Sequence, residues 1–323
     1  MKKIYIIVLT TVLLCGCNSF LDVTPKGKLI PNKVQDFDEL MGDPLNVSAA
    51  YPLMEMCSDN ICMKEDYLTY YILSDNGKAY TWQEEFYRAE EDDMTWNGAY
   101  SIIYTCNLVL SEVPGINDGT DAYKAQVMAE AKVNRAFYYW FLHSCYAPAY
   151  DPETASTDLS VPLVLEPDLN AKVSRTTSDK VVAQILKDLK DVAMDLPEKS
   201  ASEYHIPRVA VYGLAARVNL FFGNYDAALE NAEEALKLNS ELLDYNTFRF
   251  NPYGGVDNRP DPEYSPEMIM YRSSAYSSIL TTSMMSPELL EVFDTEADLR
   301  YKFNFTTLGW DGEPSGDPYP AIL

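Results

Sequence analysis

The junction Gly223-Asn224 constrains the fold of this chain more than any other feature, because it separates two stretches that each repeat at helical spacing. From Tyr225 to Leu238, Tyr225, Ala228, Leu229, Ala232, Ala235 and Leu236 recur at i, i+3, i+4 and i+7. Glu230, Glu233, Glu234 and Lys237 take the opposite face. Val209 to Phe222 is a second apolar helix. Glycine ends helices in the left-handed conformation and asparagine caps their starts, so a two-residue turn and an antiparallel hairpin are predicted. The alanines are small enough for the two backbones to approach closely. One hairpin cannot bury its own apolar face, so others must stack on it.

Candidate partners are the patterns Thr95 to Val113, Ala122 to Cys145 and Ser178 to Leu196. The last carries Val182, Ile185, Leu186, Leu189, Val192 and Leu196 on one face and is stopped by Pro197. Ala216, Gly223, Tyr225, Ala228 and Ala235 resemble the small-residue signature of a tetratricopeptide hairpin. Residues 24–60, 146–177, 240–266 and 305–323 show no helical period and hold most of the prolines, and their aromatic content argues for order. The expected fold class is therefore predominantly all-α. Tetratricopeptide-like hairpins form a stacked scaffold, with long ordered loops and room for a few short strands.

At the N-terminus, Lys2 and Lys3 precede the apolar run Ile4 to Leu14, which is too short to span a bilayer as a helix and has the build of a secretory signal. Leu14-Cys15-Gly16-Cys17 resembles the lipobox of bacterial lipoproteins. That resemblance implies removal of residues 1–16 and lipid attachment at Cys17, with several acyl chains giving a stable anchor. The formal charge of −24 becomes −26 without the two lysines, which disfavours nucleic acid as a partner. After Cys15 and Cys17, the cysteines left are Cys57, Cys62, Cys106 and Cys145. Cys57 and Cys62 could close a short disulfide loop, or all four could be buried thiols; both readings stand. His143 and His205 are the only histidines, and no Cys/His spacing predicts a zinc site, so neither a metal nor a cofactor is expected.

Several blocks, taken in order, resemble the SusD/RagB family of outer-membrane lipoproteins. They are Cys17-Asn-Ser-Phe-Leu-Asp-Val-Thr-Pro25; Trp96-Asn-Gly-Ala-Tyr100 with Ile103 and Asn107; and Ala129-Glu-Ala-Lys-Val-Asn-Arg135-Ala-Phe-Tyr-Tyr139 with Leu142. Val161-Pro-Leu163, Arg175, Asp188-Leu189, Ala193, Leu196-Pro197 and Ala216-Arg217 follow. The match runs over roughly residues 17 to 300, and the resemblance implies that residues 17–323 are one SusD-like helical repeat domain without the family's usual C-terminal segment, either as a short variant or as a chain truncated at Leu323. One departure is Ala147, where the family usually has glycine after the aromatic that ends the Arg135 helix. The resemblance implies a surface-exposed, lipid-anchored protein of the outer membrane. It would capture nutrient, typically a glycan and in some relatives a peptide, and pass it to a SusC-like TonB-dependent barrel. Binding and hand-over, not chemistry, would be its work.

A sugar ring is held by an aromatic platform with polar groups at its rim. The densest such stretch is Asp75-Asn76-Gly77-Lys78-Ala79-Tyr80-Thr81-Trp82. Gly77 reads as a turn, and if the segment after it is extended, Tyr80 and Trp82 share a side, and Asp75 and Asn76 supply hydroxyl partners. Packing of this loop onto the helices is the competing reading. Trp310 is a second candidate, Trp96 and Trp140 belong to the core, and Arg135 is expected in a structural ion pair or cap. The acidic runs Glu90 to Asp93 and Asn117 to Asp121 lack calcium-loop spacing and read as solvated surface or helix N-termini. A glycosidase would need two carboxylates across a cleft, and no nucleophile motif supports one. A scaffold for envelope protein assembly is the alternative function.

Overall fold

The computed structural model describes residues 31–48, 53–85, 87, 88, 90–261, 264–273, 283–309, 313–316 and 319–322. The signal segment, Cys17 and Trp310 lie outside the described residues. Helices run as α1 Val34–Met41, α2 Leu53–Met56, α3 Glu65–Tyr71, α4 Asp75–Tyr80, α5 Met94–Glu112 and α6 Asp121–Tyr146. They continue as α7 Ser178–Leu189, α8 Arg208–Phe221, α9 Tyr225–Leu238, α10 Pro287–Val292 and α11 Leu299–Asn304.

The core is built around α6, which is buried on all sides. Val127, Ala131, Val133, Ala136, Tyr138, Tyr139 and Leu142 all lose contact with solvent. α5 packs antiparallel on it through Ala99, Ile103, Cys106 and Val109, α7 packs through Val181 and Ile185, and α1 inserts Val34, Phe37 and Met41. Side-chain caps fix two starts. Asp93 accepts the Trp96 N–H at 3.0 Å and Thr120 accepts that of Tyr123 at 3.1 Å. The acidic run before α5 thus serves a helix N-terminus, as expected. Trp96 and Trp140 are half-buried against the core.

A buried polar knot joins three helices. Arg135 on α6 donates through Nε and Nη2 to Asp188 on α7, both at 2.8 Å, and through Nη1 to Asn107 on α5 at 2.8 Å. Burial alone would draw the guanidinium pKa down, but the bond to Asp188 and its charge hold it above the ordinary value. Asn107 passes the connection on by donating to the Val164 carbonyl. Tyr100 and Tyr139 donate to the carbonyls of Pro162 and Val164. Arg175 donates to those of Tyr146 and Ser160. These bonds order the 146–177 stretch without regular structure, because its backbone acceptors find side-chain donors. Ala147 is extended at φ −109°, so the absent glycine costs nothing there.

The α8–α9 hairpin forms as the sequence predicts, with Gly223 left-handed at φ +76°. Asn224 does not cap α9; its side chain donates back to Asn219 instead. Ala228 and Ala235 are buried between the helices, whereas Tyr225, Leu229 and Leu236 stay exposed. The predicted helix Ser178 to Leu196 is shorter than expected. α7 ends at Leu189, Asp191 turns left-handed at φ +59°, and Ala193–Asp195 forms a 3₁₀ turn that still buries Ala193. Cys57, Cys62, Cys106 and Cys145 are free thiols. Cys57 Sγ lies 3.6 Å from the Ala79 carbonyl and Cys62 Sγ lies 3.3 Å from that of Met285, so each sulfur has a polar partner other than the other cysteine.

Beside the bundle lies an antiparallel sheet of very short strands: β1 Ile61–Met63, β2 Ser283–Met285, β3 Phe305–Thr306 and β4 Ala321–Ile322. Their order is β1-β2-β4-β3, with Ile61 opposite Met285 and Thr306 opposite Ala321. A further bridge between Gly254 and Thr306 adds the 250–256 turn beyond β3.

Candidate functional site

The segment 75–82 is helical rather than extended, which corrects the predicted platform. Ser74 accepts the Gly77 N–H at 3.2 Å and so starts α4. A Cβ on Gly77 would overlap the Tyr71 carbonyl, so this glycine permits a close approach of α3 and α4 rather than a turn. Ala79 and Tyr80 face inward onto Met56 and Ile61, and the Tyr80 hydroxyl accepts the Met63 N–H at 3.3 Å. Trp82 follows α4 in the left-handed region at φ +52°, donates its N–H to the Ala79 carbonyl, and is 74% exposed. Tyr80 and Trp82 therefore do not share a face. Asp75 sits in the first turn of α4 and accepts the neighbouring Asn76 N–H. The Asn76 side-chain oxygen is buried and accepts no hydrogen bond among the described residues. Of the predicted set within these residues, Trp82 alone is an exposed aromatic, and it shares the α3–α4 pair with exposed Tyr67, Tyr70 and Tyr71. A left-handed non-glycine residue costs on the order of 1–3 kcal/mol, and such strain concentrates at ligand-binding positions.

Across the sheet, beside β3, lies a cavity of about 470 Å³ within the range of small-ligand sites. Its aromatic lining is Phe250, Tyr253, Tyr301 and Phe305, and its polar rim includes Asn251, Glu296, Lys302 and Thr307. Two glycines shape it. Gly254 at φ +98° lies so close to the Phe305 carbonyl that a Cβ there would overlap it, and Gly255 at φ +79° donates to the Lys302 carbonyl at 2.6 Å. The Tyr253 carbonyl accepts the Thr307 N–H at 2.8 Å, and the Asn251 carboxamide accepts the Tyr253 N–H at 3.0 Å. Tyr301 stacks on Phe305 with ring centroids 5.7 Å apart, and burial raises the pKa of its phenol. Lys302 reaches the Glu296 carbonyl at 2.6 Å. The site thus offers a wall of ring faces and a rim of donors and acceptors.

Sequence reasoning placed no site residue here. The available signal was Tyr253-Gly254-Gly255, an aromatic before two glycines inside a long aperiodic stretch.

A sequence profile of the SusD-like family, described as starch-binding associating with outer membrane, matches residues 19–220. The chain belongs to the SusD-like family. Two SusD-like proteins of Formosa agariphila are similar to it, one 26% identical over 235 residues and the other 24% identical over 139 residues. The aligned regions cover 71% and 42% of this chain but only 36% and 24% of those relatives, so this SusD-like chain spans a minor part of their length. A solved SusD superfamily protein of Bacteroides thetaiotaomicron shares the fold with a TM-score of 0.69 at 15% identity, covering 90% of this chain and 69% of that one. A SusD-like carbohydrate binding protein of Bacteroides vulgatus aligns with a TM-score of 0.52 at 18% identity, covering 68% of this chain and 48% of that one. Among the described residues, no helix is long and apolar enough to cross a membrane.

Proposed function

We propose that this SusD-like chain binds glycans at the cell surface and delivers them to a SusC-like TonB-dependent barrel, held to the outer membrane by lipid on Cys17. The observation that carries the binding half is the Tyr253–Tyr301 cavity. Its aromatic faces suit the apolar side of a pyranose, and Asn251, Glu296, Lys302 and Thr307 suit the hydroxyl rim. Trp82, exposed just after the helix α4 that packs on Ile61 of β1, is a second platform for a longer glycan chain. The lipobox and the family description support membrane association, and the family resemblance supports the barrel partner.

Calorimetric titration with a panel of neutral oligosaccharides tests the binding. One glycan class is expected to bind, with Tyr253→Ala weakening it about tenfold, equivalent to roughly 1.4 kcal/mol. Trp82→Ala is expected to weaken only the longer members. Failure of every glycan to bind, or full affinity in Tyr253→Ala, would reject the cavity as the site. Affinity purification of the lipoprotein from its native outer membrane tests delivery. Recovery of one TonB-dependent barrel in near-equal amount is expected, and recovery of none, or of many unrelated envelope proteins, would favour the scaffold reading.

A further inference from the structure

Away from the cavity, three groups far apart in sequence converge under α1: Asp38 on α1, Glu130 on α6 and His205 just before α8. Their ligating atoms all lie within 4.8 Å of one another. His205 Nδ1 is 3.0 Å from Glu130 Oε2 and 3.1 Å from Oε1, and the Glu130 side chain is only 1% exposed. Around them stands a second ring of donors. Ile206 N–H donates to Glu130 Oε1 at 3.2 Å, and the Tyr123 hydroxyl donates to Asp38 Oδ2 at 2.8 Å. The other Asp38 oxygen, Oδ1, is fully buried and accepts no hydrogen bond among the described residues.

An unsatisfied buried carboxylate oxygen is costly, and two carboxylates with one imidazole do not balance. With both carboxyls ionised, a protonated His205 would still leave one net negative charge. Arg272, whose charge feels Glu130, donates to Asn134 and to the Tyr271 carbonyl. A divalent ion held by a neutral imidazole and both carboxylates leaves none, and mixed nitrogen and oxygen donors suit zinc. The ring is also held in place: a Cβ on Gly42, just after α1, would overlap the far edge of His205 at Nε2 and Cε1, so Nδ1 is the nitrogen that faces the carboxylates. Orientation of ligands by outer hydrogen bonds is the ordinary build of a metal site.

We propose that Asp38, Glu130 and His205 form a binding site for one divalent transition-metal ion of the zinc type, which pins α1 to α6 and to the approach of α8. The expectation that no zinc site exists came from spacing along the sequence, and spacing cannot show a site drawn from positions 38, 130 and 205. His143, the other histidine, is buried against Ser160, so nitrogen ligation of the ion in a chain without an affinity tag reports on His205, and thiolate-to-cobalt charge-transfer bands would mark binding at the free cysteines instead.

The untagged full chain, stripped with chelator, is titrated with Zn²⁺ by calorimetry and with Co²⁺ by visible absorption. Expected are one ion per chain, ligand-field bands of a nitrogen- and oxygen-ligated Co²⁺, and a Tm that rises with metal concentration. His205→Gln and Asp38→Asn should abolish binding, and Gly42→Ala, which keeps every ligand but displaces the ring, should weaken it about tenfold. Should a variant fail to fold, the Co²⁺ spectrum and the Tm response of the unaltered chain decide alone. Absence of both, or Zn²⁺ binding unchanged in His205→Gln and Asp38→Asn, would overturn the proposal and leave a protonated histidine as the clamp.

Discussion

Replacing Arg135 by Met removes the one charge that three helices share, and the structure sets the scale of the loss. The side chains of Arg135 and Asp188 are 9% and 4% exposed, so Asp188 in the variant stays buried with Gln184 as its remaining side-chain donor. The Asn107 oxygen also loses its donor. Breaking a buried pair by removing one partner costs about 3–5 kcal/mol. At roughly 2–4 °C per kcal/mol in a chain of this size, the Tm should fall by about 10 °C. Urea denaturation should show a lower midpoint at unchanged slope, since the native surface is kept. The double variant Arg135→Met with Asp188→Leu should recover most of the loss, because an apolar replacement leaves no stranded charge. Arg135→Lys should fall between, keeping the charge but losing the two-pronged bond. A single variant within about 1 kcal/mol of the parent, or a double variant as unstable as the single, would refute the account of the knot as a paired, desolvated charge.

Two further outcomes follow from the turn glycines and the buried histidine. Gly254→Ala combines a left-handed backbone with overlap on the Phe305 carbonyl and should cost about 1–3 kcal/mol and weaken binding at the proposed glycan site. Gly223→Ala, equally left-handed but with open space around it, should cost only about 1 kcal/mol and spare binding, as thermal melts and titrations would show. His143 is buried beside Ser160, Tyr150 and Phe222, and that burial lowers its pKa. Its neutral form therefore contributes stability that is present above the unfolded value near 6.5 and lost as pH falls through the depressed folded value. The stability difference between the parent and His143→Asn should shrink or reverse from pH 7 toward pH 5. His205 titrates alike in both proteins and cancels in that comparison, and a difference flat with pH would contradict the reading.

The sequence made legible whatever repeats at 3.6 residues or is punctuated by glycine. α5, α6, α8 and α9 appear where their apolar positions recur, and Gly223 turns as its position predicts. Arg135 was expected in an ion pair, yet its partners at 107 and 188 are set by packing of helices rather than by any local pattern. The sequence reads α7 as longer because Val192 and Leu196 keep helical spacing, whereas the chain leaves the helix after Leu189 and turns left-handed at Asp191. Tyr80 and Trp82 misled because six residues are too few for a period to show and because Gly77 reads as a turn. The Tyr253 cavity was invisible for a different reason. Its walls come from the aperiodic stretch 250–254 and from 295–307, where the short helix α11 runs into the two-residue strand β3, and a single bridge joins the two.

The pairing of Ile61 with Met285 implies an order of assembly. Closing a loop of that length must precede any reward from the strand bond, whereas α5 with α6 and α8 with α9 are neighbours in sequence and close at little entropic cost. The helical scaffold is thus expected to condense first as the chain folds. The sheet and the cavity beside β3 would be completed last, so a chain interrupted between residues 240 and 283 would hold its bundle while the proposed binding cavity was still unmade.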